Sequence, residues 1–378
     1  MIDIPSLRHY RRFFGLFVGL SMAFGVYVSQ QAHADVFEVS DVVVDVTDES
    51  ATLARKKALE QGSSAAFQRL LERLTLLRDR PRLPRLEQAE IASFVRDFGV
   101  SDEKTASKRY LARLSYRFKR NEIRALLKDF NLEFAETQSK PVLILPVFQT
   151  AGTIALWDDP NPWRDAWANA AVLEGLVPLR RATGDLADVA SIGPEQALRG
   201  DRERLQAIAD RYETGAVIVV NGQMGLDAVF TRQRLDVFVT RYGNDPEPLT
   251  EELFYQQGEQ ETIEQLLTRA AFEVADHIEN QWKETNLLKL DRPNIAAVAV
   301  PITGLGDWIE VQERLKAVAL VRRAELILLS LDEARVNLHY VGEPEQLRVS
   351  LGQADLTMVQ EDGEWVIYLA SLSGSDRS

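Results

Sequence analysis

The chain has no cysteine. Without a thiol there is no disulfide, no thiolate nucleophile, no iron–sulfur cluster and no acylated cysteine anchor. Histidine is nearly as scarce, four in 378 residues, and only His277 and His339 lie beyond residue 34. One falls on a long expected helix and the other on a strand of a different domain, so both read as structural rather than as a zinc or triad pair. The chain also lacks a GxSxG elbow, an HExxH pair, a phosphate-binding GxxxxGK followed by Ser or Thr, and GxGxxG. Gly304-Leu305-Gly306 supplies two glycines of a dinucleotide loop but not the rest, and a tight turn explains both. No metal and no cofactor is expected.

Long hydrophobic runs are few, and the clearest stands at the start. Arg8, Arg11 and Arg12 precede an apolar run from Phe13 to Val28, and Ala32-His33-Ala34 forms a small-residue cleavage site. That is the pattern of a secretory signal peptide, residues 1–34, with cleavage before Asp35, a periplasmic product and no membrane span left after cleavage. Losing three basic residues and one acidic residue there takes the formal charge from −13 to −15. A chain so acidic repels nucleic acid and anionic lipid headgroups, so no nucleic-acid partner is expected.

The rest has enough apolar residues, 46%, for several cores. Its patterns predict a mixed α+β and α/β multidomain protein. Residues 35–138 read as an N-terminal α+β domain: an alternating strand at Val36–Val46, a helix capped by Asp48 or Ser50, a basic loop carrying Arg78, Arg80, Arg82 and Arg85, a helix from Leu86 to Phe98, a strand at Tyr110–Phe118 and a helix from Asn121 to Phe130. Residues 141–285 read as a central βαβαβ three-layer domain with strands at Val142–Phe148, Leu176–Leu179 and Ala216–Val220, then antiparallel strands and a long helix from Glu261 to about Trp282. Residues 293–371 give a C-terminal ferredoxin-like βαββαβ order, with Asp307 and Glu310 as the capping box of its first helix. Residues 372–378 are a disordered tail.

The most informative stretch is VLILPVFQTAGTIALWDDPNPWRDAW, Val142 to Trp167. Four consecutive apolar residues suit a strand covered on both faces. Asn161 and Pro162 have the chemistry of a helix start, and Trp163, Ala166, Trp167 and Ala170 then recur on one helix face. Ligands of open α/β sheets bind beyond the carboxyl ends of strands. Asp158 and Asp159 follow the first central strand, while Arg180, Arg181, Asp185 and Asp188 follow the second. These six form the candidate site, with carboxylates able to do acid–base work or to hold a hard cation, or else merely solvated and paired with the arginines. Trp157, in the loop beside two aspartates, is the candidate partner surface, since tryptophans often anchor interfaces.

The run LWDDPNPWRDAW, with GLVPL, GDLADVA and Ile208-Ala209-Asp210-Arg211-Tyr212 after it, resembles exported proteobacterial proteins of the domain of unknown function 2066 family. The resemblance implies an envelope protein and brings no activity with it. The central region also loosely resembles, in fold, the N-terminal domain of the periplasmic Tol translocation protein. Together these features lead to a non-catalytic periplasmic protein-interaction module with other envelope proteins as partners. Two alternatives stand beside it: a hydrolase or cation-dependent enzyme using the loop aspartates, and a small-ligand binding protein using the same loops.

Overall fold

Three sheets, each with its own apolar core, follow one another along the chain. The structure is a computed structural model, described over residues 35–150, 152–170, 175–227, 232–243, 248–288 and 293–370. The expected export signal and the tail at 372–378 lie outside the described residues. Among the described residues no helix is long and apolar enough to cross a membrane.

The first sheet is antiparallel, ordered β1 (Glu38–Thr47), β3 (Arg109–Phe118), β2 (Val95–Thr105). Helix α1 (Ala51–Leu74) covers one face with Ala54, Ala58, Phe67, Leu70 and Leu71, and Ser50 caps it by accepting the N–H of Leu53 at 3.2 Å. The opposite face carries an Arg–Asp ladder, Arg109 on Asp45 and Arg117 on Asp97. Strand β2 corrects the helix expected up to Phe98: α2 (Gln88–Phe94) stops early and the chain pairs with the free edge of β3. Nearly every β2 side chain is exposed, so no burial period marks it in the sequence. The expected basic loop closes instead as a 3-10 turn, Leu77–Arg82, before α3 (Arg120–Asp129) completes this part.

The second sheet has β4 (Val142–Thr150) near its centre, parallel to β6 (Leu179–Arg181) and β7 (Ala216–Asp227); β8 (Arg232–Tyr242) and β9 (Leu249–Gln256) add antiparallel, and β5 (Thr153–Ala155) folds back on β4. Successive β4 residues feed opposite cores, as the pleat requires. Val142 and Ile144 meet α4 (Pro162–Ala170) and α8 (Ile263–Thr285), whereas Leu143, Leu145 and Val147 meet α6 (Pro194–Arg199) and α7 (Arg202–Arg211). The second strand begins three residues later than expected. The N–H groups of Leu176 and Val177 are taken by the Glu279 carboxylate, at 2.6 and 2.8 Å, rather than by a ladder. Gly222 in β7 makes room for Trp163, because a Cβ there would lie 3.1 Å from the indole.

The third sheet is ordered β11 (Val321–Leu329), β12 (Glu333–Val341), β10 (Pro293–Pro301), β14 (Glu364–Leu369), β13 (Leu356–Glu361). Helices α9 (Leu305–Ala317) and α10 (Pro344–Gln353) supply Trp308, Val311, Leu315, Leu347 and Leu351 to its core. A ferredoxin-like order would put the strand after α10 beside β10. Here that strand, β13, turns back as a hairpin, and its partner β14 takes the place beside β10, running parallel to it. The capping box expected of Asp307 and Glu310 is also replaced. Gly304 occupies the cap, Asp307 in the first turn accepts from the N–H and hydroxyl of Thr303 at 2.7 Å each, and Glu310 pairs with Arg314.

From Asp35 onward the three parts form one unit, and α8 is its strut. Near its end Trp282 donates to the carbonyl of Thr137 at 2.6 Å and Lys283 donates to two carbonyls at the end of α1. Thr137 in turn bonds the Ser350 hydroxyl of α10 at 3.1 Å.

Candidate functional site

The best-connected polar cluster of the central region begins at Gly184, which takes a left-handed φ of 77°, a conformation glycine adopts without steric cost. The turn delivers Asp185 as the cap of α5 (Leu186–Ser191), accepting the N–H groups of Ala187 and Asp188 at 2.9 Å each. Thus Asp185 and Asp188, expected in a loop, sit at a helix start. Asp188 is fully buried. Its carboxylate accepts from the Tyr212 hydroxyl at 2.6 Å, the Gly184 N–H at 2.8 Å, Arg211 Nε at 2.9 Å and the Thr183 hydroxyl at 3.2 Å. Burial pushes the Asp188 pKa up, but the bonds from Tyr212, Gly184, Arg211 and Thr183 outweigh it and hold the group below the ordinary carboxylate value. The other arm of Arg211 reaches Asp185 at 2.5 Å.

The remaining candidates lie around this knot. Arg180 donates to the Tyr212 carbonyl at 2.6 Å, while Arg181 is exposed. Asp159 is exposed and pairs with Arg164, whose other nitrogen donates to the Trp157 carbonyl at 2.7 Å. Asp158 is exposed and, among the described residues, makes no hydrogen bond or ion pair. Trp157 is half-buried: its indole N–H donates to the Ile192 carbonyl at 2.7 Å and its ring packs on the core beneath α6 and α7. Its own region thus holds the ring in place. A Cβ on Gly184 would lie 3.4 Å from both Trp157 and Arg164, so the two loops touch there.

The four aspartates do not converge on one point. Asp185 and Asp188 face Arg211, Asp159 faces Arg164, and Asp158 faces outward. Among the described residues no group of three or more His, Asp or Glu side chains is placed to hold a metal ion. Arg211 and Tyr212, absent from the candidate set, bind this cluster together; they stand in the Ile208–Tyr212 motif, so the sequence marked them without showing what they touch. His277 and His339 each face one glutamate, Glu251 at 2.6 Å and Glu325 at 3.3 Å. A second feature escaped the sequence reading altogether. Between α1 and α8 lies a cavity of about 500 Å³ whose charged walls include Arg73, Arg80, Asp276, Glu279 and Lys283.

The Asp188 knot makes a stability prediction. Its native pKa is lowered, so the stabilisation is fully present above the unfolded value of 3.8 and is lost as pH falls through the lower native value. Asp188→Asn should cost about 2–3 kcal/mol at neutral pH, the scale of bonds made to a charged group. The gap from wild type should hold down to about pH 4 and close below it. Denaturant melts from pH 7 to pH 2 check this, and a gap that widens in acid would refute it.

No family model matches the chain, and no curated protein matches it. Among solved structures, the PelC dodecamer from Paraburkholderia phytofirmans aligns over 39% of this chain and 90% of its own, at 10% identity and a TM-score of 0.24. Lipoprotein GNA1162 from Neisseria meningitidis aligns over 37% and 99%, at 16% identity and 0.25. Formyltetrahydrofolate deformylase from Burkholderia mallei aligns over 63% and 90%, at 12% identity and 0.18. Scores this low assign neither fold nor function.

Proposed function

We propose that this is a non-catalytic assembly protein of the bacterial periplasm that binds a protein partner in the cell envelope along the outer edge of its third sheet. The observation that carries the reading is strand β11. It is the terminal strand of that sheet, and among the described residues nothing pairs with its outer side. Four successive side chains on it are apolar and open to solvent: Leu326 at 42%, Ile327 at 58%, Leu328 at 52% and Leu329 at 41%, with Leu331 beyond at 92%. Sheet edges are normally shortened, charged or covered, because their free N–H and C=O groups recruit other strands. A nine-residue edge strand that ends in four exposed apolar residues is the kind of surface that strand addition uses.

The arginines and apolar run before Ala32-His33-Ala34 support the periplasmic location, and the motifs that resemble those of the domain of unknown function 2066 family support an envelope role. Three of those motifs meet around Asp188: GDLADVA supplies the carboxylate, Ile208–Tyr212 two of its four donors, and the tryptophan loop the packing above Gly184. The hydrolase reading loses ground here. Asp188 is held as an anion by four donors, so it has no free face for a substrate. We read the third region as a ferredoxin-like half, β10 to α10, extended by the β13–β14 hairpin.

A photo-crosslinking residue placed at Leu328 in living cells tests the docking edge. A covalent protein adduct is expected from Leu328 and none from Val43, which is 59% exposed on the first sheet. Equal labelling from both positions, or none from Leu328, would sink the reading.

A further inference from the structure

We infer that the partner seated on β11 is a second copy of this chain, paired antiparallel across a twofold axis. The inference rests on reading β11 as the docking edge and names its occupant. The strand has an uneven charge distribution that an antiparallel second copy matches, although Glu325 already pairs with Arg323 at 3.1 Å and Glu333 with Arg335 at 2.6 Å. Arg322 and Arg323 stand at its beginning, and Asp332 and Glu333 at the turn beyond its end. The apolar run Leu326–Leu329 lies midway between them.

Two antiparallel copies centred on Ile327 and Leu328 set each basic end against the acidic turn of the other, with leucine against leucine between. Parallel copies would set arginine against arginine. An isologous interface requires this self-complementarity, and a twofold axis uses each charge contact twice. The charges are placed to serve it. Arg323 is 67% exposed, held only by Glu325 two residues away at 3.1 Å. Asp332 is exposed and, among the described residues, its carboxylate accepts only the Ser330 hydroxyl, at 2.7 Å. Register shifts in the β11–β12 ladder fall at Arg322 and Ile327. The second of these interrupts the free backbone row at the centre, so the joint depends mainly on leucine packing and on the charged ends.

The same contacts give a charge-swap test. Light scattering and sedimentation on the purified chain should give twice the mass of one copy. Arg323→Asp and Asp332→Arg should each weaken the dimer at least tenfold, because each places two pairs of like charges face to face. An equimolar mixture of the two variants should recover it, since every contact then joins opposite charges. Circular dichroism melts on each variant keep misfolding separate from dissociation.

A wild type that stays monomeric at tens of micromolar, or a mixture that stays as weak as its parts, overturns the inference. The mass of the Leu328 adduct tells the two failures apart. An adduct with a different protein keeps the docking edge and removes the second copy, whereas no adduct removes both.

Discussion

Replacing Trp163 by alanine should cost about 3–5 kcal/mol, the range for emptying a buried tryptophan site, and should unfold the central region well below wild-type denaturant. The side chain is fully buried and stands edge-on to Trp167, with ring centres 5.8 Å apart at 89°. Its indole N–H also donates to the Val220 carbonyl of β7 at 3.0 Å. Truncation therefore removes packing and a bond together, and the space opened is bounded on the sheet side by Gly222, which has no side chain to fill it.

The neighbouring tryptophan separates those two effects. Trp167 is equally buried, yet among the described residues its indole nitrogen has no hydrogen-bond partner. A buried unsatisfied donor is itself unfavourable, so deleting it can be nearly neutral. Trp167→Phe should cost clearly less than Trp163→Phe, which removes a bond that exists. Chemical denaturation followed by circular dichroism measures both. Equal losses would mean that ring size alone decides, and a small loss for Trp163→Ala would mean that α4 is not packed on the sheet.

These tryptophans were legible in the sequence because every signal around them is local. Asn161 caps its helix through its own side chain, accepting the Arg164 N–H at 3.0 Å, and the apolar face repeats at helical spacing. What failed to show is long-range. Strand β2 exists because β3 has a free edge. The late start of β6 depends on Glu279, 103 residues along the chain from Leu176. In the candidate site the individual residues could be named, but not their pairing. Asp188 reads as one acid in a polar loop until α7 brings Arg211 and Tyr212 against it. Likewise the leucines of β11 read as an ordinary strand, since the sequence does not say that it lies last in its sheet.

Lys283 is the plainest case of a residue that only the fold explains, and Lys283→Met should be among the most damaging single changes. A lysine at 3% exposure on a long helix looks misplaced. Its ammonium, however, donates to the carbonyls of Glu72 at 2.8 Å and Thr75 at 3.1 Å, where α1 ends, and a cation is favoured at a helix C-terminus. It also lies 3.6 Å from Glu279, which in turn holds the chain before β6. Methionine keeps the stem but leaves those carbonyls without the donor and Glu279 without its cation, so a loss of about 3–5 kcal/mol is expected. Glu279→Gln combined with Lys283→Met should cost less than the two single losses added, because the partners share one interaction. Burial, opposed by Glu279, lowers the Lys283 pKa below its ordinary 10.5. Between the native value and 10.5 the unfolded chain binds more protons, so wild type should gain on Lys283→Met as pH rises through that window. Unfolding both proteins between pH 7 and pH 10 measures the trend, and a wild type that instead loses ground to the variant would show that the ammonium is not buried.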